Sequence, residues 1–218
     1  MIKGIIFDLD GTLLESMHVW DTVASTYLRT LGYDPDPDTD DIMKEASIQD
    51  AASYFRKRYG IQKTVNEIAF EVNAELEDAY FRKIQPKAGV MAMLEAFKAR
   101  GIRMVAATAT ERYLILPCIE RLGILDYFSQ VFTCAEVGTG KSEPLIYHLA
   151  TEALGLDKSE VAIFEDALYA AHTAKNDGYY LVGIYDDSMK YRQDELRSIA
   201  DLYVPSYEAL DVDACLFS

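Results

Sequence analysis

The sequence is short of positive charge, of cysteine and of long apolar runs, and each shortage excludes a class of function. Lys and Arg number 21 against 36 Asp and Glu, a net charge of -15. A chain of that sign offers no basic footprint for nucleic acid or for an anionic membrane surface. The three cysteines, Cys118, Cys134 and Cys215, are odd in number and lack C-x-x-C spacing. That argues against a disulfide framework and a zinc site, and leaves each as a small buried hydrophobe. No stretch approaches the roughly 18 apolar residues of a membrane helix. The "GIIF" run near the start is too short for the apolar core of a targeting segment, so the cytoplasm is the expected compartment. What is present is 218 residues, 50% hydrophobic and 26% charged, enough for one large domain or two small ones with a full core. A monomer is the default expectation.

The stretch "GIIFDLDGTLLES" ends an apolar run in two carboxylates one residue apart. On a period-two strand Asp8 and Asp10 share a side, with Leu9 facing the other way. Like charges that close call for a cation, a shared proton or open solvent. Gly11 lets the backbone bend directly after them. An exposed turn after a buried strand is the plain alternative; a calcium loop is disfavoured, because its third acidic position and bidentate Glu are missing.

The next seventy residues read as helices. Ser16 is placed as an N-cap, and Val19, Val23, Tyr27 and Leu31 form one stripe before Gly32. "DPDPDTDD" reads as a solvated acidic loop. Ser47 is placed to cap a second helix carrying Ile48, Ala52, Phe55 and Tyr59. "TVNE" at Thr64–Glu67 has capping-box spacing and opens a third, with Ile68, Val72, Leu76 and Tyr80 inward. From about Val90 helices alternate with short strands, "IRMVAA", "VFT", "VAIF" and "YYLVGIY", and Pro117 is expected to bend or split the helix after the second strand. Such alternation implies an α/β fold, a Rossmann-like parallel sheet with helices on both faces and the ligand site beyond the carboxyl ends of the strands. The expected division is a core of residues 1–15 and 85–218 with an inserted α-helical domain over 16–84.

The residues just past the predicted strands form a coherent chemical set. They are Asp8 and Asp10 after the first, Thr108, Ala109 and Thr110 after the second, Lys141 after the third, and Glu165 with Asp166 after the fourth. An ionised Asp can attack phosphorus without a base to activate it. Thr108 and the N–H groups after it, Ala109 included, can hold phosphate oxygens at a helix start, and Lys141 adds a point charge to the same oxygens. Four carboxylates and a phosphate dianion overwhelm one lysine, so a divalent cation is required, and oxygen-only ligands point to Mg²⁺.

In carrying that set, the chain resembles the haloacid dehalogenase superfamily, in its phosphatase and phosphomutase branch with a helical cap inserted after the first motif. "DLDGT", the Thr108 of "AATAT", the Lys141 of "GTGKSEP" and the "FEDA" at Glu165 and Asp166 are similar to its four motifs in order and spacing. The resemblance implies that Asp8 is a nucleophile forming an aspartyl-phosphate. Asp10 would protonate the leaving oxygen and then activate water. Asp8, the Asp10 main-chain carbonyl and Asp166 would ligate Mg²⁺, with Glu165 nearby or acting through water. The substrate would be a small phosphorylated metabolite. The usual Pro after Lys141 is absent, and Ala167 and Ala170 stand where Ser and Gly are common.

The acidic residue at position 10 disfavours carbon–halogen chemistry, for which the family has an aromatic residue there. In the branch's sugar phosphomutases a His follows the acid-base Asp by ten residues and an Arg sits in a cap G-x-S-R-x-D stretch. Trp20 and Ile48 stand at those positions here, and a hydrolase is the favoured reading. His18, Trp20 and Ile48 are the candidates for cap contacts with substrate; His148 and His172 read as ordinary helix residues. Four rival readings compete with it: a β-phosphoglucomutase-like phosphomutase, a non-catalytic phosphate-binding protein on the same fold, a phospho-receiver signalling domain, which is much shorter and carries no seventy-residue helical insertion, and a nucleotide-binding P-loop at "GTGKS". The last is disfavoured because Ala135 stands where its first Gly belongs.

Overall fold

The computed structural model describes every residue except Ala46, Ser47, Phe217 and Ser218, so the Ser47 cap lies outside the described residues. The chain divides into two compact units, one of Met1–Glu15 with Gln85–Ser218 and one of Ser16–Ile84.

The first unit is built on six parallel strands: β1 (Gly4–Phe7), β2 (Arg103–Thr108), β3 (Val131–Thr133), β4 (Val161–Glu165), β5 (Tyr180–Ile184) and β6 (Leu202–Val204). They lie in the order β3-β2-β1-β4-β5-β6, each pair in parallel register. Helices enclose the sheet, as its side chains require: β1 and β4 are buried throughout, and a strand buried on both faces needs a layer on each. Ile6, Val105, Ile163 and Leu181 share a core with Ile146, Ala150 and Leu154 of the helix Leu145–Leu154 and Ala171 of Leu168–Asn176. The neighbouring positions Phe7 and Phe164, 4.7 Å apart between ring centroids, meet Phe97 of the helix Val90–Ala99. This is the doubly wound α/β architecture, and its strand order reverses direction between β1 and β4.

Two local expectations for this unit need correction. The helix Arg112–Arg121 continues through Pro117 without splitting, and side chains on both sides of the proline, Leu114, Ile115, Cys118 and Ile119, are buried. The strand Leu202–Val204 adds a sixth member beyond the expected set. Three half-buried or buried residues at a sheet edge carry too little periodicity to announce themselves.

The second unit is helical. Its longest element, Val65–Asp78, opens with a complete capping box in which the Thr64 side chain accepts from Glu67 N–H and the Glu67 carboxylate accepts from Thr64 N–H. Ile68, Val72, Leu76 and Tyr80 are buried as their spacing demands. The single helix expected from Ser16 is instead two, Met17–Trp20 and Val23–Thr30, and Ser16 caps neither with its side chain. The reason is tertiary: Asp40 accepts the Ser25 N–H at 2.9 Å, satisfying a first-turn donor of a new helix start. Asp40 itself belongs to a helix, Thr39–Glu45, so the tail of the acidic run is ordered and not a solvated loop. Its head is pinned as well, with Asp36 held by Arg58 at 2.7 Å and by the Tyr59 hydroxyl, which accepts from Asp36 N–H at 2.8 Å.

Candidate active site

Parallel strands end their helix-bound turns on one edge, and the crevice opens where the strand order reverses. Here that point is the carboxyl end of β1 beside β4. Asp8 follows β1 directly and keeps its N–H on the Phe164 carbonyl at 3.0 Å. Glu165 closes β4 with Asp166 next. Gly11, at φ 77°, makes the backbone turn just beyond Asp10 that a side chain would resist.

Lys141 is the hub. Its buried ammonium donates to Asp8 Oδ1 and, at 2.6 Å, to Glu165 Oε1. Glu165 is sequestered completely: Oε2 accepts the N–H groups of Asp166 and Ala167 at 3.1 and 3.3 Å, and Tyr147 OH reaches Oε1 at 3.4 Å. Asp166 Oδ1 accepts from the Thr12 hydroxyl at 2.7 Å, and Thr12 in turn receives the Tyr207 hydroxyl on its carbonyl at 3.1 Å. Asp10 Oδ2 accepts from the Thr110 hydroxyl at 2.7 Å. One oxygen each of Asp8, Glu165 and Asp166 lies within 4.8 Å of the others.

The electrostatics follow from burial. Three buried carboxylates against one buried ammonium leave an excess of negative charge in low dielectric. Burial above all pushes the Asp8 carboxyl up to about 8; Lys141 opposes this, while the charges of Glu165 and Asp10 add to it. Burial likewise raises Asp166 well above the ordinary range, helped by Asp8, Glu165 and Asp186 and opposed by Lys87. Burial works against the Lys141 charge, but Asp8 and Glu165 outweigh it and hold the ammonium protonated. A divalent cation among these oxygens would offset the excess and favour the ionised form of both aspartates. The donor set is three hard oxygens with no sulfur or imidazole, which suits Mg²⁺.

The structure therefore joins Asp8 and Glu165 through Lys141, with an Asp166 oxygen within 4.8 Å of both carboxylates and Asp10 joined to the second-strand turn through Thr110. Thr108 is buried at the end of β2, and its hydroxyl oxygen accepts the Thr110 N–H at 3.0 Å. The Thr110 N–H is therefore taken by Thr108, and the exposed Ala109 stands between them. His18, Trp20 and Ile48 lie in the second unit, His18 exposed and the other two half-buried. The Trp20 indole donates to Tyr80 OH at 3.0 Å, a packing contact within that unit. His148 and His172 pair with Asp177 and Glu195 on the surface. The cysteines are free and buried, and burial lifts the Cys118 and Cys134 thiols to about 11, well clear of nucleophile chemistry.

Thr12, Tyr147 and Tyr207 are site residues that the sequence does not single out for a role, and it gives the Thr110 side chain none beyond its place among the strand-end residues. Thr12 and Thr110 each lie two residues from a selected residue, so proximity is a usable signal; Tyr147 and Tyr207 have none.

A switch-point sheet carrying two aspartates, a lysine and an acidic pair on one edge defines a phosphate-handling α/β hydrolase. The sequence pattern of the haloacid dehalogenase-like hydrolases matches residues 2–176, and the chain belongs to that family. It is an enzyme of the phosphatase class, and its relatives carry that description. It is 26% identical over 190 residues to a phosphorylated carbohydrates phosphatase of Thermotoga maritima, covering 81% of this chain and 82% of the relative. It is 28% identical over 192 residues to the validoxylamine A 7'-phosphate phosphatase of Streptomyces hygroscopicus subsp. limoneus, covering 84% and 86%. In fold it superposes on the β-phosphoglucomutase of Clostridium difficile with a TM-score of 0.81 at 19% identity, covering 99% and 96%. Among the described residues no helix is long and apolar enough to cross a membrane.

Proposed function

We propose that this enzyme hydrolyses a small phosphate monoester through an aspartyl-phosphate on Asp8, with Mg²⁺ as cofactor. The observation that carries the reading is the shared Lys141 ammonium, bonded at once to Asp8 and Glu165, whose carboxylates lie within 4.8 Å of an Asp166 oxygen. It is a nucleophile, its counter-charge and a cation-ready oxygen set in one buried cluster.

In the first half-reaction an Asp8 carboxylate oxygen attacks phosphorus, the bond from phosphorus to the ester oxygen breaks, and Asp10 gives its proton to that oxygen. The Thr110 hydroxyl orients the Asp10 carboxyl for this through Oδ2. In the second half-reaction Asp10 takes a proton from water, the water oxygen attacks phosphorus, and inorganic phosphate leaves with the Asp8 carboxylate restored. Lys141 and Thr108 would hold the phosphoryl oxygens, with the Ala109 backbone beside them. Asp8 and Asp166, with the Asp10 main-chain carbonyl, would hold Mg²⁺, and Glu165 serves by fixing Lys141. Bound Mg²⁺ supplies charge neutralisation for the anionic nucleophile and the phosphoryl group.

The helical unit over residues 16–84 is read as the cap, with His18, Trp20 and Ile48 as its candidate substrate contacts. The names of the relatives favour a phosphorylated carbohydrate or similar small metabolite, with the cytoplasm as the compartment. Hydrolysis is favoured over phosphate transfer between sugar positions, because Trp20 occupies the position of the mutase His and spends its N–H on Tyr80.

The test is release of phosphate from p-nitrophenyl phosphate and a panel of sugar phosphates with Mg²⁺ and with EDTA, with glucose-1-phosphate isomerisation run alongside. Turnover that needs Mg²⁺ and vanishes in Asp8→Asn supports the reading. No turnover on any ester, with Asp8→Asn binding phosphate like the wild type, would make the protein a binder instead.

A further inference from the structure

Lys87 and Asp186 form a buried ion pair that the proposed chemistry does not use. Lys87 Nζ lies 2.8 Å from Asp186 Oδ2, with side-chain exposures of 10% and 6%. The ammonium also donates to the Tyr185 carbonyl at 2.7 Å. The other Asp186 oxygen accepts the Ser188 N–H at 2.9 Å and the Ser188 hydroxyl at 2.5 Å. A buried pair is a weak source of net stability, because desolvation takes back most of the attraction. Its placement suggests a different role.

In the sheet, β4 lies between β1 and β5. Lys87 is stitched to the β1 side: its N–H donates to the Leu13 carbonyl at 2.8 Å, the Glu15 N–H donates to Gln85 at 2.9 Å, and Leu14 bridges to Pro86. Asp186 stands two residues past the end of β5. The ion pair thus crosses from the β1 side to the β5 side over the end of β4, and Asp166 is the first residue beyond that end. Thr12 grips Asp166 from the β1 side.

We propose that Lys87 and Asp186 are a positioning pair for Asp166, tying the two flanking strands across the end of β4 so that Asp166 stays at cation-binding distance from Asp8. This rests on the Mg²⁺ site proposed above and adds to it two residues that touch neither cation nor substrate.

The experiment is calorimetric titration of the whole protein with Mg²⁺ alone, with thermal unfolding in EDTA recorded for each variant. Lys87→Met and Asp186→Asn are each expected to weaken Mg²⁺ binding about tenfold, as loss of an outer support does. The double variant should be no weaker than the worse single, and Lys87→Arg should recover most of the affinity. Unchanged Mg²⁺ affinity with only a lowered Tm would make the pair purely structural and overturn the proposal. So would opposite signs for the two single variants, since that pattern marks a field effect of unbalanced charge. If Lys87→Met does not fold, Asp186→Asn and Lys87→Arg decide between the same outcomes. The cleft of about 170 Å³ beside the pair, bordered by Glu15, Ala88 and Ser206, lets water reach whichever partner remains. A wild type that binds no Mg²⁺ would sink the functional reading itself. Wild-type binding that Asp166→Asn abolishes and Lys87→Met leaves intact would sink this inference alone.

Discussion

Replacing Thr110 with Val removes one hydroxyl and keeps the shape. That hydroxyl donates to Asp10 Oδ2 at 2.7 Å, and the residue is 3% exposed, so no solvent stands ready to replace it. A hydrogen bond to an ionised group contributes about 1.5–3 kcal/mol and a neutral one about 0.5–1.5 kcal/mol. If Asp10 is the acid of the proposed reaction, the bond passes from the second kind to the first as the proton leaves. The difference between the two ranges, about 1–1.5 kcal/mol, is stabilisation that develops with proton transfer, and its loss should slow that step roughly tenfold. The Thr110 N–H stays on Thr108 in the variant because it belongs to the backbone. The assay compares kcat/KM on an alkyl phosphate, whose leaving alkoxide needs a proton, with p-nitrophenyl phosphate, whose leaving anion is stable without one. The expected result is a tenfold fall on the alkyl ester and little change on the aryl ester. An equal fall on both would show that Thr110 merely supports the fold, and no fall on either would show that the Thr110 bond does not assist proton transfer.

Stability without metal should fall as pH rises from 6 to 8. The Asp8 carboxyl is raised from 3.8 to about 8 in the folded protein, mainly by burial, with Asp166 raised in the same direction. A raised carboxyl keeps its proton in the fold after the unfolded chain has lost it, so the stability it contributes is whole below about 4 and is lost as pH climbs through about 8. Thermal unfolding in EDTA at pH 6 and pH 8 should show the drop, and millimolar Mg²⁺ should recover more at pH 8; a Tm that rises with pH in EDTA contradicts the burial argument. Gly89→Ala should destabilise by about 1–3 kcal/mol or more, the scale of a strained backbone residue. Its φ is 85°, and an added Cβ would sit 2.7 Å from the Glu208 N; urea unfolding with an unchanged midpoint would refute that. Thr64→Ala dissolves the capping box of Val65–Asp78 and should cost about 1 kcal/mol, read as a lower Tm with the Mg²⁺ affinity of the protein unchanged.

How much was legible in the residues can be judged at particular places. The alternation of Ile5, Ile6 and Phe7 between two buried faces, the Thr64–Glu67 box and the helical stripes over Ile68–Tyr80 are local or periodic, and they fold as written. Asp8, Lys141, Glu165 and Asp166 are far apart in the chain, yet strand-end logic alone sends each to the same sheet edge. By contrast, the break between Trp20 and Val23 depends on Asp40 reaching Ser25, and the helix that runs through Pro117 has buried side chains on both sides of it. Neither can be read from a window of neighbouring residues.

The sequence by itself determined the doubly wound class, the helical insertion and the identity of the acidic and basic groups at the edge, because those follow from periodicity and from which residues end each strand. Only the tertiary structure decided that Thr110 faces Asp10, that Thr12 and Tyr207 form a chain to Asp166, and that Lys87 meets Asp186 across 99 residues. Those contacts are made between elements whose packing fixes side-chain distances to fractions of an ångström, and no spacing along the chain encodes them.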